Sequence, residues 1–330
     1  MAHEARIVVV GLGSIGRRHA RLLAKRGDLE VEWCEPCDQA LALAQDELGR
    51  DFTAFRSFEA MLESRPSMVV IATPHAEHSP QTIESLKAGV HVLCEKPMSD
   101  SLSKAELMAK AADDSGCVLT IGFHLHFHPA LQRIKNLVDA GELGSIHYLH
   151  CRVGSYQTLV NSRSRYQAAM KGAIFMDYAH QPDLFYWLLK EKPKGVYASG
   201  GKGGALEYQS NPNFVSVLCD YQDPCIATIH LNYLQAPERH EYEVVGDKGW
   251  IVLDMNSGLL CLGHPGDAKI REERFSTERD PLYEAEHDAF IAAVKGERSA
   301  ESPPSEALVS MQVIDAAMQS WQRAERIDLS

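Results

Sequence analysis

The chain has 330 residues, of which 45 % are hydrophobic and 24 % are charged, a composition typical of folded proteins rather than disordered ones. Its formal net charge of −12 argues against nonspecific binding to nucleic acid or to an anionic membrane, because both need clustered positive charge. The sequence has no apolar run of membrane-spanning length, no signal-peptide pattern at its start and only eight cysteines, so we expect a cytoplasmic protein with reduced thiols.

Short apolar runs alternate with helical segments through the first third of the chain. Strands are predicted at residues 6–10, 31–34, 68–72, 91–94 and 117–121. Helices are predicted between them, and glycines such as Gly27, Gly49 and Gly89 mark where these helices end. Alternation of strands and helices at this spacing predicts a doubly wound parallel sheet.

The pattern changes near Gly122. After a predicted helix at 129–140, strands follow one another without intervening helices, and residues 226–233 alternate apolar and polar side chains. Such alternation is typical of an antiparallel sheet with one covered face. We therefore expect an α/β protein with two domains. Residues 1–123 would form the parallel sheet, and residues 124–330 an α/β domain with an open, mainly antiparallel sheet.

Residues 11–16 match the pattern G-x-G-x-x-G between a predicted buried strand and a predicted helix. The first glycine permits a tight turn, the second lets the backbone approach a pyrophosphate, and the third brings helix and strand together. An ordinary glycine-rich turn is the alternative, but the strand and helix on either side favour a dinucleotide-binding Rossmann domain. The candidate cofactor-binding residues here are Gly11, Leu12, Gly13, Ser14, Ile15 and Gly16.

An acidic residue at the end of the second strand is expected to bind the ribose diol of the dinucleotide, and Glu35 stands there. Its negative charge would repel a 2′-phosphate, so the sequence favours NAD over NADP, although Arg17 and Arg18 leave NADP possible. Cys34 and Cys37 flank it in a C-x-x-C pattern. A redox or zinc pair is the less favoured interpretation, because no second such pair accompanies it.

Two further predicted strands end in polar residues at the carboxyl edge of the sheet, where ligands bind in such folds. Residues 72–78 read A-T-P-H-A-E-H, and residues 91–97 read H-V-L-C-E-K-P. Together with the glycine turn, these motifs resemble the Gfo/Idh/MocA family of nicotinamide-dependent sugar and polyol dehydrogenases. The resemblance covers most of the first domain and is weaker in the second, at residues 172–180 and 283–290. It adds to the cofactor-binding residues Thr73, Pro74, His78, Glu95 and Lys96.

The resemblance also implies the reacting groups. Lys96 would contact the reacting hydroxyl, and His180 would accept its proton with Asp177 beside it. The chemistry agrees, because oxidation of a carbinol carbon requires loss of the O–H proton and histidine titrates near neutral pH. Asp177 and His180 are three residues apart, where many members of the family have four, but on one helix both spacings share a face. A helix-start aspartate and a satisfied surface histidine remain the alternative.

Residues 124–128 read H-L-H-F-H after the last parallel strand. In an extended segment these histidines would point the same way, as metal ligands do. The resemblance instead places His124 and His126 at the substrate, where relatives often carry Asn and Arg, and simple packing is a third possibility. Three more polar residues would line the substrate opening or lie in a solvated loop: Arg163, Arg165 and Tyr166.

We therefore expect an oxidoreductase that transfers hydride between a nicotinamide cofactor and a secondary hydroxyl group or ketone, without a metal. NAD is the favoured cofactor and NADP is the alternative. The resemblance implies a small-molecule substrate, either a sugar, a cyclic polyol or a sugar derivative. It also implies a second domain that binds substrate and assembles the chain into a homodimer or homotetramer. Two alternatives stay open, an NAD-dependent glycosidase with no net redox change and a regulator that binds nucleotide and sugar without turnover.

Overall fold

A computed structural model describes residues 5–49, 52–162, 166–222 and 224–329 of the chain. The chain divides into two units, and each is made of two segments. Residues 1–127 form the first unit with residues 278–311, and residues 128–277 form the second with residues 312–330. The late segment joins the first unit because Phe290 and Ile291 are part of that unit's hydrophobic core.

The first unit contains a parallel sheet of six strands. They are β1 (Ala5–Val10), β2 (Leu29–Cys34), β3 (Ala54–Phe55), β4 (Met68–Ile71), β5 (His91–Glu95) and β6 (Leu119–Gly122). The strand order is β3-β2-β1-β4-β5-β6, and every neighbouring pair runs parallel. Ile7, Val8 and Val9 are fully buried, as expected of a central strand that is covered on both faces.

Helices connect these strands. They are α1 (Ser14–Leu23), α2 (Asp38–Leu48), α3 (Phe58–Glu63), α4 (His75–Lys87) and α5 (Leu102–Ser115), and a short 3-10 helix covers His124–Phe127. The order changes direction beside β1, so the carboxyl ends of β1 and β4 mark the point where doubly wound sheets bind ligands. The predicted parallel fold of this part of the chain is confirmed.

The second unit contains a sheet of nine strands. They are β7 (Ile146–Gly154), β8 (Gly195–Gly201), β9 (Phe214–Asp220), β10 (Ile226–Asn232), β11 (Arg239–Gly246), β12 (Trp250–Asp254), β13 (Leu259–Gly263), β14 (Arg271–Arg274) and β15 (Ile327–Asp328). Their order is β14-β13-β12-β11-β7-β10-β9-β8-β15. Only β7 and β10 pair in parallel among the described neighbours, so the predicted mainly antiparallel sheet is confirmed.

The remaining helices follow in chain order. They are α6 (Pro129–Asp139), α7 (Gln157–Asn161), α8 (Tyr166–Ala169), α9 (Ala173–Asp177), α10 (His180–Leu189), α11 (Asp280–Val294) and α12 (Pro304–Arg323). Helix α11 lies in the late segment of the first unit, and α12 begins there. None of the helices that the structure describes is both long and apolar enough to cross a membrane.

Candidate functional site

The glycine turn between β1 and α1 has the shape that a dinucleotide pyrophosphate requires. Gly11 has a φ of +87°, and a Cβ on Gly16 would lie 1.8 Å from the Gly11 carbonyl oxygen, so neither position tolerates a larger residue. Gly13 stands at the N-cap position of α1, and a Cβ there would meet nothing within 4 Å. The first N–H groups of α1 therefore lie beside backbone that no side chain covers, as the binding of an anion requires.

Glu35 follows β2 and lies beside this turn. Its Oε2 accepts a hydrogen bond of 2.8 Å from the Leu12 N–H, and its Oε1 accepts one of 2.9 Å from the Cys37 N–H. Each carboxylate oxygen can accept a further hydrogen bond, so the group suits a ribose diol. The two arginines that could bind a 2′-phosphate have acidic partners, since Arg17 pairs with Glu47 and Arg18 with Asp280. These observations fit NAD.

Cys34, the first residue of the C-x-x-C pattern around Glu35, has the features of a structural thiol. Cys34 is buried and Cys37 is exposed, and both are free thiols. Desolvation, followed by the charge of Glu35, raises the pKa of Cys34 to about 12. A thiol that holds its proton so firmly is a poor nucleophile and a poor metal ligand at neutral pH.

The segments after β4 and β5 are held together by His78, which is buried in α4. Its Nδ1 lies 2.8 Å from the Pro97 carbonyl oxygen, and its Nε2 lies 2.9 Å from the Thr73 carbonyl oxygen. Burial lowers the pKa of His78, and the contacts with the Pro97 and Thr73 carbonyls oppose that effect. Thr73 also packs close to Gly11, since a Cβ on that glycine would lie 2.9 Å from Thr73 Cγ2. His78 thus fixes the segments that carry Thr73, Pro74 and Lys96.

Lys96 follows directly after β5, and the buried carboxylate of Glu95 orients its backbone. Glu95 Oε2 accepts a hydrogen bond of 3.1 Å from the Lys96 N–H, and Glu95 Oε1 lies 2.9 Å from Nε2 of His19 in α1. Desolvation raises the pKa of Glu95, but the hydrogen bond and the charge interaction with His19 outweigh it and keep that pKa below its usual range. Glu95 is therefore an ionised anchor inside the first unit.

The histidine run after β6 forms a 3-10 turn and not the extended segment that would align its rings. His124 is buried and stacks on Tyr283 at 4.5 Å between ring centroids, and burial lowers its pKa to about 3. His126 is buried with Nδ1 3.2 Å from Ser302 Oγ. His128 Nδ1 instead accepts a hydrogen bond from the Ala130 N–H at the start of α6. The three rings therefore have separate partners.

Asp177 and His180 lie on two short helices and not on one, contrary to the sequence-based expectation. Asp177 ends α9 and His180 begins α10, because Pro182 has no N–H with which to bond the Tyr178 carbonyl and continue a single helix. Asp177 Oδ2 accepts a hydrogen bond of 3.2 Å from Gln167 Nε2 and a very short one from the Tyr233 hydroxyl.

The structure brings predicted residues of the first unit together, and it places Asp177 of the second unit beside two residues that were not predicted. The first unit collects the glycine turn, Glu35, Thr73, Glu95 and Lys96 at the carboxyl edge of its sheet, and the second collects Asp177 with Gln167 and Tyr233. Tyr166 begins α8, whereas Arg163 and Arg165 lie outside the described residues. The sequence analysis gave no role to His19 or Tyr233, and it included Tyr283 and His287 only as part of the resemblance at residues 283–290.

Comparisons with known proteins agree with this geometry. A family model described as an oxidoreductase family with an NAD-binding Rossmann fold matches residues 5–123, and a GFO/IDH/MocA C-terminal domain model matches residues 131–252. The chain is 24 % identical over 328 residues to the rhizopine catabolism protein MocA of Rhizobium meliloti, covering 96 % of this chain and 95 % of the relative. It is 26 % identical over 347 residues to an inositol 2-dehydrogenase of Rhizobium meliloti, covering 98 % and 99 %.

A solved structure shows the same fold over the whole chain. It is GenD2 from gentamicin A biosynthesis in complex with NAD, with a TM-score of 0.86, 22 % identity, and coverage of 100 % of this chain and 97 % of that one. At this identity the likeness concerns the fold.

Proposed function

Because the chain belongs to the Gfo/Idh/MocA family of NAD-dependent oxidoreductases, as its sequence predicts, we propose that it transfers hydride between NAD and a sugar or polyol. The reacting group would be a secondary hydroxyl or the corresponding ketone of a sugar, a cyclic polyol or a sugar derivative. The observation that carries this proposal is Lys96, which stands at the carboxyl edge of the parallel sheet with its backbone held by the buried Glu95. The names of the two relatives, with inositol and rhizopine as their compounds, support the substrate class.

Bound NAD would accept the hydride, and residues of this chain would form the NAD-binding site. The N–H groups of Ser14, Ile15 and Gly16 would bind the pyrophosphate, and Glu35 would bind the adenosine ribose. Thr73 and Pro74 are proposed to line the remainder of the nucleotide site, with His78 fixing their position. Leu12 contributes through its N–H to Glu35, and Glu95 through its hydrogen bond to Lys96.

NAD(H) is expected to bind more tightly than NADP(H), because a carboxylate at the ribose position repels a 2′-phosphate. Glu35→Gln should reduce the preference for NAD(H) by about 10-fold, the effect of roughly 1.4 kcal/mol. Isothermal titration with both nucleotides measures this ratio. The matched control is Glu30→Gln, which removes an exposed carboxylate from β2, the strand that precedes Glu35, and should leave the ratio unchanged. Tighter binding of NADP(H) by the unmodified protein would indicate instead that Arg17 or Arg18 binds the 2′-phosphate.

Lys96 and His180 are proposed to act on the hydroxyl group in different ways. The ammonium group of Lys96 would stabilise the negative charge that develops on the substrate oxygen, and His180 would accept the hydroxyl proton. Asp177 would keep that histidine oriented or compensate its charge, and Tyr233 and Gln167 hold Asp177 in place. His124, His126, Arg163, Arg165 and Tyr166 are proposed to contribute to substrate binding.

The proposed reaction is tested by screening sugars, inositols and uronates for NADH formation by the purified protein. Stoichiometric conversion of NAD to NADH with one of these alcohols, and oxidation of NADH by the matching ketone, are the expected results. Release of free sugar from a glycoside without accumulation of NADH would establish the glycosidase alternative. Tight sugar binding without turnover would establish a regulator.

We also propose that the chain forms a homodimer or homotetramer through the open face of the nine-stranded sheet. Tyr197, Leu218 and Ile226 lie on this face and are 40 %, 41 % and 44 % exposed, which is unusual for large apolar side chains in neighbouring strands. The double substitution Leu218→Glu and Ile226→Glu should therefore lower the solution mass, while NAD still binds to the first unit. Light scattering measures the mass. An unmodified protein that is monomeric at all concentrations would contradict the proposal.

A further inference from the structure

Three ionisable side chains come together inside the first unit, away from any exposed surface. They are His19 of α1, Glu95 at the end of β5 and Glu286 of α11, whose side chains come from distant parts of the sequence. One potential ligand atom from each lies within 4.8 Å of the other two. His19, Glu95 and Glu286 are 0 %, 6 % and 2 % exposed, respectively. Two carboxyl groups at such a separation, both removed from water, need a positive charge or a proton between them.

The carboxylate of Glu286 differs from the other two groups of this cluster in its hydrogen bonding. Both of its carboxylate oxygens are buried, and neither has a hydrogen-bond partner among the residues that the structure describes. Helix α11 therefore points an acidic group with four unused lone-pair positions toward Glu95 and His19.

His19 is supported in the way that is usual for a metal-binding histidine. Its Nε2 faces the cluster, at 2.9 Å from Glu95 Oε1, and its Nδ1 lies 2.7 Å from Nε2 of His287. If Nε2 offers its lone pair to a cation, the Nδ1–H can donate to His287, and a partner on the second ring nitrogen is the common arrangement around metal-binding histidines. The edge of Tyr283, with ring centroids 5.3 Å apart, fixes the plane of the His19 ring.

We propose that His19, Glu95 and Glu286 bind one divalent cation, and that Zn²⁺ matches them best. One imidazole nitrogen and two carboxylates are a ligand set that zinc accepts, whereas Mg²⁺ and Ca²⁺ take oxygen ligands. The two carboxylates neutralise the charge of the cation, so no net charge is buried. A carboxylate that binds through both oxygens would complete four ligand atoms.

This site would be structural and would not touch the substrate. Glu95 would bind the cation through one oxygen and keep the other for the Lys96 N–H, so the cation would tie α1 and α11 to the segment that carries Lys96. It uses none of the three histidines of the H-L-H-F-H run as ligands. The proposed hydride transfer therefore takes place without a metal ligand at the substrate.

The test uses the full-length protein, stripped with a chelator and then reloaded with ZnCl₂ alone. After desalting, elemental analysis is expected to give one zinc per chain, and the loaded protein should melt at a higher temperature than the stripped protein. Glu286→Gln and His19→Gln should each weaken zinc binding by more than about 100-fold, because losing even an outer partner of a ligand costs about 10- to 100-fold. The matched control is Glu284→Gln, a half-exposed position on the same helix that pairs with Lys25, and it should still bind one zinc.

Two results would overturn the proposal. The first is an unmodified protein that retains no stoichiometric zinc and melts at the same temperature with and without it. Glu286 would then be a protonated acid, and the Gln variant, which has the same shape without the charge, should be at least as stable. The second is zinc that remains at one per chain in both ligand variants, which would place the cation elsewhere. The measurement on the unmodified protein decides the matter even if a variant does not fold.

Discussion

Replacing Lys96 with alanine is expected to abolish most turnover while NAD binding is largely retained. The ammonium group interacts more strongly with the developing alkoxide than with the neutral alcohol, so its loss raises the barrier rather than weakening ground-state binding. Removal of one donor to a developing oxyanion typically lowers kcat by about 10²- to 10³-fold. Steady-state kinetics with the substrate found in the screen give kcat, and titration gives the dissociation constant of NAD.

Two companion variants make this experiment specific. Lys104→Ala removes a half-exposed lysine that pairs with Asp100, and it should leave kcat unchanged. Lys96→Arg keeps the positive charge but alters the geometry of donation, so its kcat should lie between those of the unmodified protein and the alanine variant. A Lys96→Ala enzyme with near-normal kcat would remove Lys96 from the reaction and leave it a role in nucleotide binding only.

His180→Ala is expected to lower the rate of alcohol oxidation by about 10²- to 10⁴-fold, the usual contribution of general-base catalysis. Only the neutral imidazole can accept the hydroxyl proton, so oxidation by the unmodified enzyme should rise with pH as the histidine deprotonates. Ketone reduction needs the protonated ring and should fall over the same pH interval. Both pH dependences should disappear in His180→Ala, whereas His147→Ala, in a strand of the same unit, should keep them.

Two further variants test how Asp177 contributes to this proton transfer. Asp177→Asn should cost less than His180→Ala, because the side chain keeps its shape and loses only its charge. Tyr233→Phe removes a hydrogen-bond donor to Asp177 and should shift the pH profile without abolishing turnover. If His180→Ala retains normal turnover and its pH dependence, another residue accepts the proton, and His124 would be the next to examine.

Local patterns explain why much of the fold could be predicted from the sequence. The glycine turn depends on residues within one strand–turn–helix segment, and the structure gives Gly11 the positive φ that such a turn requires. The switch from alternating helices and strands to consecutive strands likewise predicted the two sheets. The contact of Glu35 with the turn follows from its place at the end of β2.

The remaining features depend on residues that are far apart or on small backbone choices. His19, Glu95 and Glu286 have no common sequence pattern, because strand order and the return of α11 bring them together. The histidine run could be extended or helical by its composition, and packing of His124 on Tyr283 accompanies the helical turn. The break between Asp177 and His180 had a visible signal in Pro182, which the spacing argument did not take into account.

The return of residues 278–311 to the first unit has a consequence for biosynthesis. A ribosome releases residues 1–127 early, but Phe290 and Ile291, which complete the hydrophobic core around β1 and β2, emerge only after the whole segment 128–277 has been translated. Until residues 278–311 have been translated, part of the hydrophobic core of the nascent nucleotide-binding unit is therefore uncovered. A gene fragment that stops before residue 278 would leave that surface without the cover that Phe290 and Ile291 provide.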